Sequence, residues 1–137
     1  MTKKNTHPQS IRTRKPAGLL KQGDIIETTF GVEEECRQGE RTMVGRRPCI
    51  VVSSKYHFLQ TNMLILVPIT RGNQCPKGNV PIRSHPKVKG FAKVHQLKPV
   101  DVVRRKYTYL GSISPEELEE IYKISNSYLA RDLDQGK

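Results

Sequence analysis

Residues 45–54 read GRRPCIVVSS, two arginines and a proline set directly against an apolar run. Cys49 to Val52 is continuous in apolar residues and ends in two valines, the pattern of a short strand buried on both faces. A chain that needs only a turn ahead of such a strand reaches it with Gly, Asn or Asp, which require no long cation to be solvated. Arg46 and Arg47 therefore pose a choice between solvated loop residues and a functional pair at the mouth of a core strand.

Outward from this stretch, short apolar runs alternate with turn residues. MLILVPI (63–69) is a second strand of the same kind, with Pro68 marking a strand end or a bulge, and KYHFLQTN (55–62) reads as the hairpin connection between the two. NVPIRS (79–84), FAKVHQL (91–97) and KYTYLGSI (106–113) follow as three further strands, separated by Pro- and Gly-containing turns and by the basic segment DVVRRK (101–106). Upstream, LLKQGDIIETTFG (19–31) supplies the first strand, with Ile25, Ile26 and Phe30 among threonines after the turn-prone Gly23. GVEEECRQGERTMVGRR (31–47) keeps neither hydrophobic period and is expected to be a long loop.

The one helix starts at Ser114, with Pro115 in the first helical position and Glu117 completing a capping box. Leu118, Ile121, Tyr122 and Leu129 fall on one of its faces. The fold class is mainly β with a C-terminal α-helix: a small, strongly bent antiparallel sheet or barrel carrying the helix on one side.

The chain has 137 residues and 35% hydrophobic content, enough for one modest core. Its net charge of +11 bears on partners and points to a polyanion. Residues 1–21 hold six basic and no acidic side chains, whereas residues 22–111 hold 15 basic against 7 acidic, so the candidate domain is itself basic. Residues 1–18 have almost nothing apolar and are expected to form a disordered basic arm, followed by a domain over 19–131 and a tail over 132–137.

No run approaches the ~20 apolar residues that cross a bilayer, and no secretory signal is evident, so a cytoplasmic protein without a membrane partner is expected. Cys36, Cys49 and Cys75 form an odd set without a C-x-x-C pair, which supports neither a disulfide framework nor a zinc site. Glu33, Glu34 and Glu35 are adjacent, and adjacent carboxylates rarely converge on one ion, so no metal or other cofactor is called for. His57 and His85 lie in polar or Pro-bounded loops and read as surface residues.

Polar side chains interrupt the strand plan at two further places: Thr70 and Arg71 after Pro68-Ile69, and Lys93 and His95 in AKVHQL. In a small barrel, strand ends tend to converge on a common rim, so a cleft shared with Arg46 and Arg47 is expected. Five stretches in order, GDII, GRRPCIVVS, ILVPIT, KVHQLKPVD and SPEELEEI, resemble the MazF and PemK (Kid) family of toxin endoribonucleases over roughly residues 19–130. The resemblance implies an SH3-like barrel of the CcdB/PemK type. It also implies a homodimer that cuts single-stranded RNA without a metal, using the RNA's own 2′-hydroxyl, and an acidic, partly disordered antitoxin segment as natural partner.

The family's functional arginine, before the proline of GxRP, carries over to Arg47, and the threonine closing PxT carries over to Thr70. A basic residue followed two positions later by an acid, just before a glutamine, corresponds to Lys93 and His95 ahead of Gln96. Here the chain departs from the family, with His95 where an acid is expected and Thr29 where an acid often ends the first strand. The chemistry needs a base, an acid for the leaving 5′-oxygen, and cations for the charge growing on phosphorus-bound oxygens. Arg47 suits the last role, because its planar fork grips two phosphate oxygens and keeps its charge. His95 is the expected proton-transfer group, since an imidazole can act as acid or base near neutral pH. Thr70 is a hydrogen-bonding positioner, and Arg46, Arg71, Lys93 and Gln96 are RNA contacts. The alternative is a barrel of the same fold that binds nucleic acid, or inhibits a topoisomerase, without cutting.

Overall fold

The computed structural model describes residues 15–31, 45–72 and 76–132. The chain runs β1 (Asp24–Gly31), β2 (Gly45–Val51), α1 (Lys55–Thr61), β3 (Leu64–Thr70), β4 (Asn79–Ile82), β5 (Gly90–Lys93), β6 (Lys98–Val100), β7 (Tyr107–Ser112) and α2 (Pro115–Leu129). Most of the expected long loop, with Glu33, Glu34 and Glu35, lies outside the described residues, as do Cys36, Cys75 and residues 1–14 and 133–137.

The sheet order is β4–β5–β3–β2–β1–β7, with β6 also on β3 and every pairing antiparallel. Within β3, Leu64–Leu66 pairs with β6, whereas Ile69 and Thr70 pair with β5. Pro68, which has no N–H to donate, falls where the partner changes. The continuous apolar runs follow from burial on both faces. Ile25, Ile50, Val67 and Ile69 join the core beneath α2, while their neighbours Ile26, Cys49, Val51 and Leu66 join a second core with Phe30 and Val100.

The path of strands ends at β4 and β7, and side chains join those two ends. Glu117 accepts from the backbone N–H groups of Arg83 (2.7 Å) and Ser84 (3.1 Å) and from the Ser84 hydroxyl (2.5 Å). His85 bridges from the turn after β4 to the carbonyl of Leu110 in β7 at 2.6 Å. The same Glu117 closes the expected capping box with Ser114, so one carboxylate both starts α2 and clasps the turn after β4.

At the other end of β1, the GD pair is structural. Gly23 receives Ile113 N–H on its carbonyl and donates its own N–H to Val51. Asp24 is fully buried and accepts from Lys15 Nζ (3.0 Å), Lys21 Nζ (3.4 Å) and the Lys21 N–H (2.9 Å), which compensates the buried charge. Lys15 also lies over the Tyr109 ring, and Tyr107 donates its hydroxyl to the Lys15 carbonyl, so residues 15–18 of the basic segment are described lying on the domain.

Three local expectations are corrected. KYHFLQTN is α1, capped by the Ser54 side chain and ended by Asn62 in the left-handed region (φ 59°). FAKVHQL is one short strand and then a 3₁₀ turn over Val94–Gln96, and the three-residue β6 follows on the edge of β3, where Pro99 costs no ladder bond. Leu129 is 80% exposed, because the last turn of α2 runs past the apolar layer that Leu118, Ile121 and Tyr122 cover.

Candidate functional site

Successive strand residues face opposite ways, so the two arginines of GRRP separate. Arg46 Nε lies 3.4 Å from Glu27 Oε1, and its Nη atoms donate to the Lys106 carbonyl (3.3 Å) and the Thr108 hydroxyl (3.4 Å). It borders an open depression of about 730 Å³ together with Lys15, Arg105 and Lys106. Arg47, opposite Thr28 of β1, is half-buried with its Nε fully covered, and it lines a different cleft, of about 460 Å³.

That second cleft gathers the residues with the strongest chemical case. Arg47 and Pro48 come from β2, Ile69, Thr70 and Arg71 from the end of β3, and Lys87 and Lys89 from the turn between β4 and β5. Four cations thus line the cleft together with Thr70. Their one anionic companion among the lining residues is Glu27 of β1. Thr70 is half-buried and pairs with Phe91 of β5. The approach of β5 depends on Gly90, whose φ is 148° and where a Cβ would lie 2.5 Å from the Thr70 carbonyl oxygen.

The AKVHQ segment goes elsewhere, which corrects the expectation of one shared rim. Lys93 is 6% exposed and pairs in register with Asn79 of β4, and the strand stops there. The 3₁₀ turn buries Val94 and leaves His95 exposed and Gln96 half-buried. His95 lies beside Gly78 and Tyr128: a Cβ on Gly78 would meet its Nδ1 at 3.6 Å and the Tyr128 hydroxyl at 2.6 Å. Partial burial, and then the Lys93 ammonium, lower the His95 pKa from its ordinary value. Neither Lys93, His95 nor Gln96 lines the cleft of Arg47 and Thr70.

Glu27 is the residue that sequence reasoning missed. The missing acid was sought at Thr29, which instead gives its carbonyl to Arg105 Nη1 at 2.5 Å. Glu27 lies two residues earlier on the same strand, opposite Pro48, with a side chain 42% exposed. The sequence shows only a carboxylate between Ile26 and Thr28 in a strand otherwise apolar and threonine-rich past Asp24; its place across from the GxRP motif comes from the pairing of β1 with β2. Cys49 offers no nucleophile, since burial pushes its thiol up to about 12. Among the described residues no three His, Cys, Asp or Glu side chains cluster to hold a metal, and no described helix is long and apolar enough to cross a membrane.

The bent antiparallel sheet with α2 on its face is a fold shared with known proteins. The family profile described as PemK-like, MazF-like toxin of type II toxin–antitoxin systems matches residues 21–126, and the chain belongs to that family. Among solved structures, MazF of Deinococcus radiodurans superposes with a TM-score of 0.69 at 22% identity, covering 80% of this chain and 96% of that one. A MazE–MazF complex from the same organism gives 0.65 at 20% identity, covering 81% and 96%. An endoribonuclease in complex with its cognate antitoxin, from a mycobacterial species, gives 0.63 at 17% identity, covering 80% and 94%. At these identities the superpositions establish the fold. Among curated protein sequences none matches the chain.

Proposed function

We propose that this protein is the toxin of a type II toxin–antitoxin system, a sequence-specific endoribonuclease of the cytoplasm that cuts single-stranded RNA in the Arg47–Thr70 cleft. The observation that carries the proposal is the gathering of the family's arginine and threonine with Arg71, Lys87 and Lys89 around one carboxylate, Glu27. Cations on three elements suit a phosphodiester backbone. The single acid among the lining residues, which also pairs with Arg46, is the one carboxylate there that could take a proton.

In the proposed reaction the 2′-hydroxyl gives its proton to Glu27 as its oxygen bonds to the adjacent phosphorus. The bond from phosphorus to the 5′-oxygen breaks, and that oxygen leaves with the electron pair and takes a proton from water. Arg47 holds the equatorial oxygens as charge builds on them, and Thr70 orients the phosphate by hydrogen bonding. Products are a 2′,3′-cyclic phosphate and a 5′-hydroxyl, and no metal enters any step. His95 lies outside the cleft of its own chain and takes no part in this scheme, nor does the buried Lys93.

The fold also supports a homodimer and an acidic antitoxin segment as partner. The D. radiodurans relative has been solved with MazE, and the +11 charge of this chain suits an acidic ligand that competes with RNA. Incubating the purified protein with mixed-sequence RNA in EDTA tests the proposal: cleavage leaving 2′,3′-cyclic phosphate ends is expected. RNA that is bound with steep salt dependence but stays intact would assign the chain to the non-cutting alternative.

A further inference from the structure

The cleft wall that carries Lys87 and Lys89 has no strand ladder, since it lies between Ile82, the end of β4, and Gly90, the start of β5. Glu117 clasps its first residues, Arg83 and Ser84, and a second side chain holds the part that carries the lysines. His85 Nδ1 accepts from the backbone N–H groups of Lys87 (3.0 Å) and Val88 (2.9 Å), and Nε2 donates to the Leu110 carbonyl of β7 (2.6 Å). Two N–H donors converge on Nδ1 and a carbonyl faces Nε2, so the geometry assigns the neutral ring with its proton on Nε2.

A second, independent observation concerns Gly111 in β7. A Cβ there would lie 2.9 Å from His85 Nε2 and 3.2 Å from Cδ2, and the φ of Gly111 is 123°. Strand β7 thus leaves out a side chain where the imidazole rests. Val88 and Leu110 both pack on the core beneath α2 and both line the cleft, so the ring ties the wall to a rigid layer. Lys89 lines the cleft while one N–H of its ammonium donates to the Arg83 carbonyl at 3.1 Å, which leaves two N–H donors for a ligand.

We propose that His85 is a positioning residue of the RNA-binding cleft, fixing the Lys87–Lys89 wall against β7 so that its two ammonium groups meet the RNA backbone. The inference rests on the reading of this cleft as an RNA site, yet it concerns binding and not cleavage. His85 reproduces with a ring nitrogen the bonds that an Asx turn makes with a carboxamide oxygen, from the N–H groups two and three residues on. His85→Asn therefore keeps the local turn and loses the tie to Leu110, whereas His85→Ala loses both.

The test measures binding of 2′-O-methyl RNA, which has no free 2′-hydroxyl to attack and so separates binding from cleavage. His85→Ala is expected to weaken binding about tenfold at moderate salt and to reduce the slope of log affinity against log salt by about 1, as one or two phosphate contacts are lost. His85→Asn should fall between wild type and His85→Ala. Lys87→Ala/Lys89→Ala should cost about tenfold in wild type but under about threefold in the His85→Ala background, because residues that act together are not additive. Fully additive losses, or an unchanged salt slope, would overturn the proposal. So would a ring protonated on Nδ1 in the nitrogen-15 spectrum of the folded wild type, a readout that needs no variant to fold. Failure of the wild type to bind the RNA overturns both the cleft reading and this inference, whereas binding without cleavage of ordinary RNA overturns only the proposed reaction.

Discussion

Two basic strand ends, GRRP at residues 45–48 and AKVHQ at 92–96, look alike in sequence and come to rest in unlike surroundings. The first opens β2 in the middle of the sheet, flanked by β1 and β3, so Arg47 faces the end of β3 and the turn before β5 across a cleft. The second ends β5 beside β4, where Lys93 turns inward and His95 emerges next to Gly78 and Tyr128, near the C-terminal end of α2. A central strand end has neighbours on both sides from which a site can be assembled. Strand β5 is also flanked on both sides, but AKVHQ leaves it in a 3₁₀ turn that packs beside α2, away from the cleft. On the proposed cleft, residue type alone ranks His95 too high and Glu27 too low, and the variants below separate the two regions.

Among the acid and glycine variants the largest effect is expected from Glu27→Gln, which should lower cleavage by ~10²-fold or more, the size of a lost general base. Affinity for 2′-O-methyl RNA should hold or rise, because a negative charge leaves a cationic cleft. An equal loss of rate and affinity would return Glu27 to the role of ion-pair partner for Arg46. Gly90→Ala should come next. A methyl group would press on the Thr70 carbonyl, so cleavage should fall by about tenfold and stability by ~1–3 kcal/mol. Gly78→Ala provides the contrast, since it meets the movable Tyr128 hydroxyl beside His95 and should leave cleavage within about threefold.

Smaller still is the effect of Glu117→Ala on folding. Burial opposes the charged form of this carboxylate, but bonds from Arg83 N–H, the Ser84 hydroxyl, Ser114 N–H and Ser84 N–H outweigh it and lower its pKa from the ordinary value. A carboxyl that is more acidic when folded stabilises the protein above its unfolded pKa, and that stabilisation is lost as the pH falls through the folded value. Denaturant melts should show Glu117→Ala less stable by ~1–2 kcal/mol near neutral pH, with the gap to wild type closing in acid. A gap that stays constant with pH would mean that the clasp does not depend on the charge.

Much of the fold was legible because it rests on local physics. The continuous apolar runs around Ile50 and Val67 announced strands buried on both faces, and Ser114, Pro115 and Glu117 announced the start of α2. Helix α1 was overlooked although Ser54 and Asn62 are ordinary cap residues, because its short body buries no residue fully, covers only His57 and Phe58 in part, and leaves Tyr56 and Leu59 exposed. Of the site, Arg47, Thr70 and Arg71 were found together through motif and strand position. Glu27, Lys87 and Lys89 were not, since their place depends on the pairing of β1 with β2 and on a turn shaped by His85, long-range facts that no spacing encodes. His85 itself reads as a surface residue until its three partners are seen.

The most direct test of the cleft assignment is a side-by-side measurement of single-turnover RNA cleavage by Arg47→Ala and His95→Ala, with both variants shown to be folded. The cleft geometry predicts that Arg47→Ala loses ~10²–10³-fold, as expected for removal of a transition-state cation, while His95→Ala stays within about threefold of wild type. A His95→Ala enzyme that loses ~10²-fold beside a nearly intact Arg47→Ala enzyme would contradict it and move the reaction to the corner beside Tyr128.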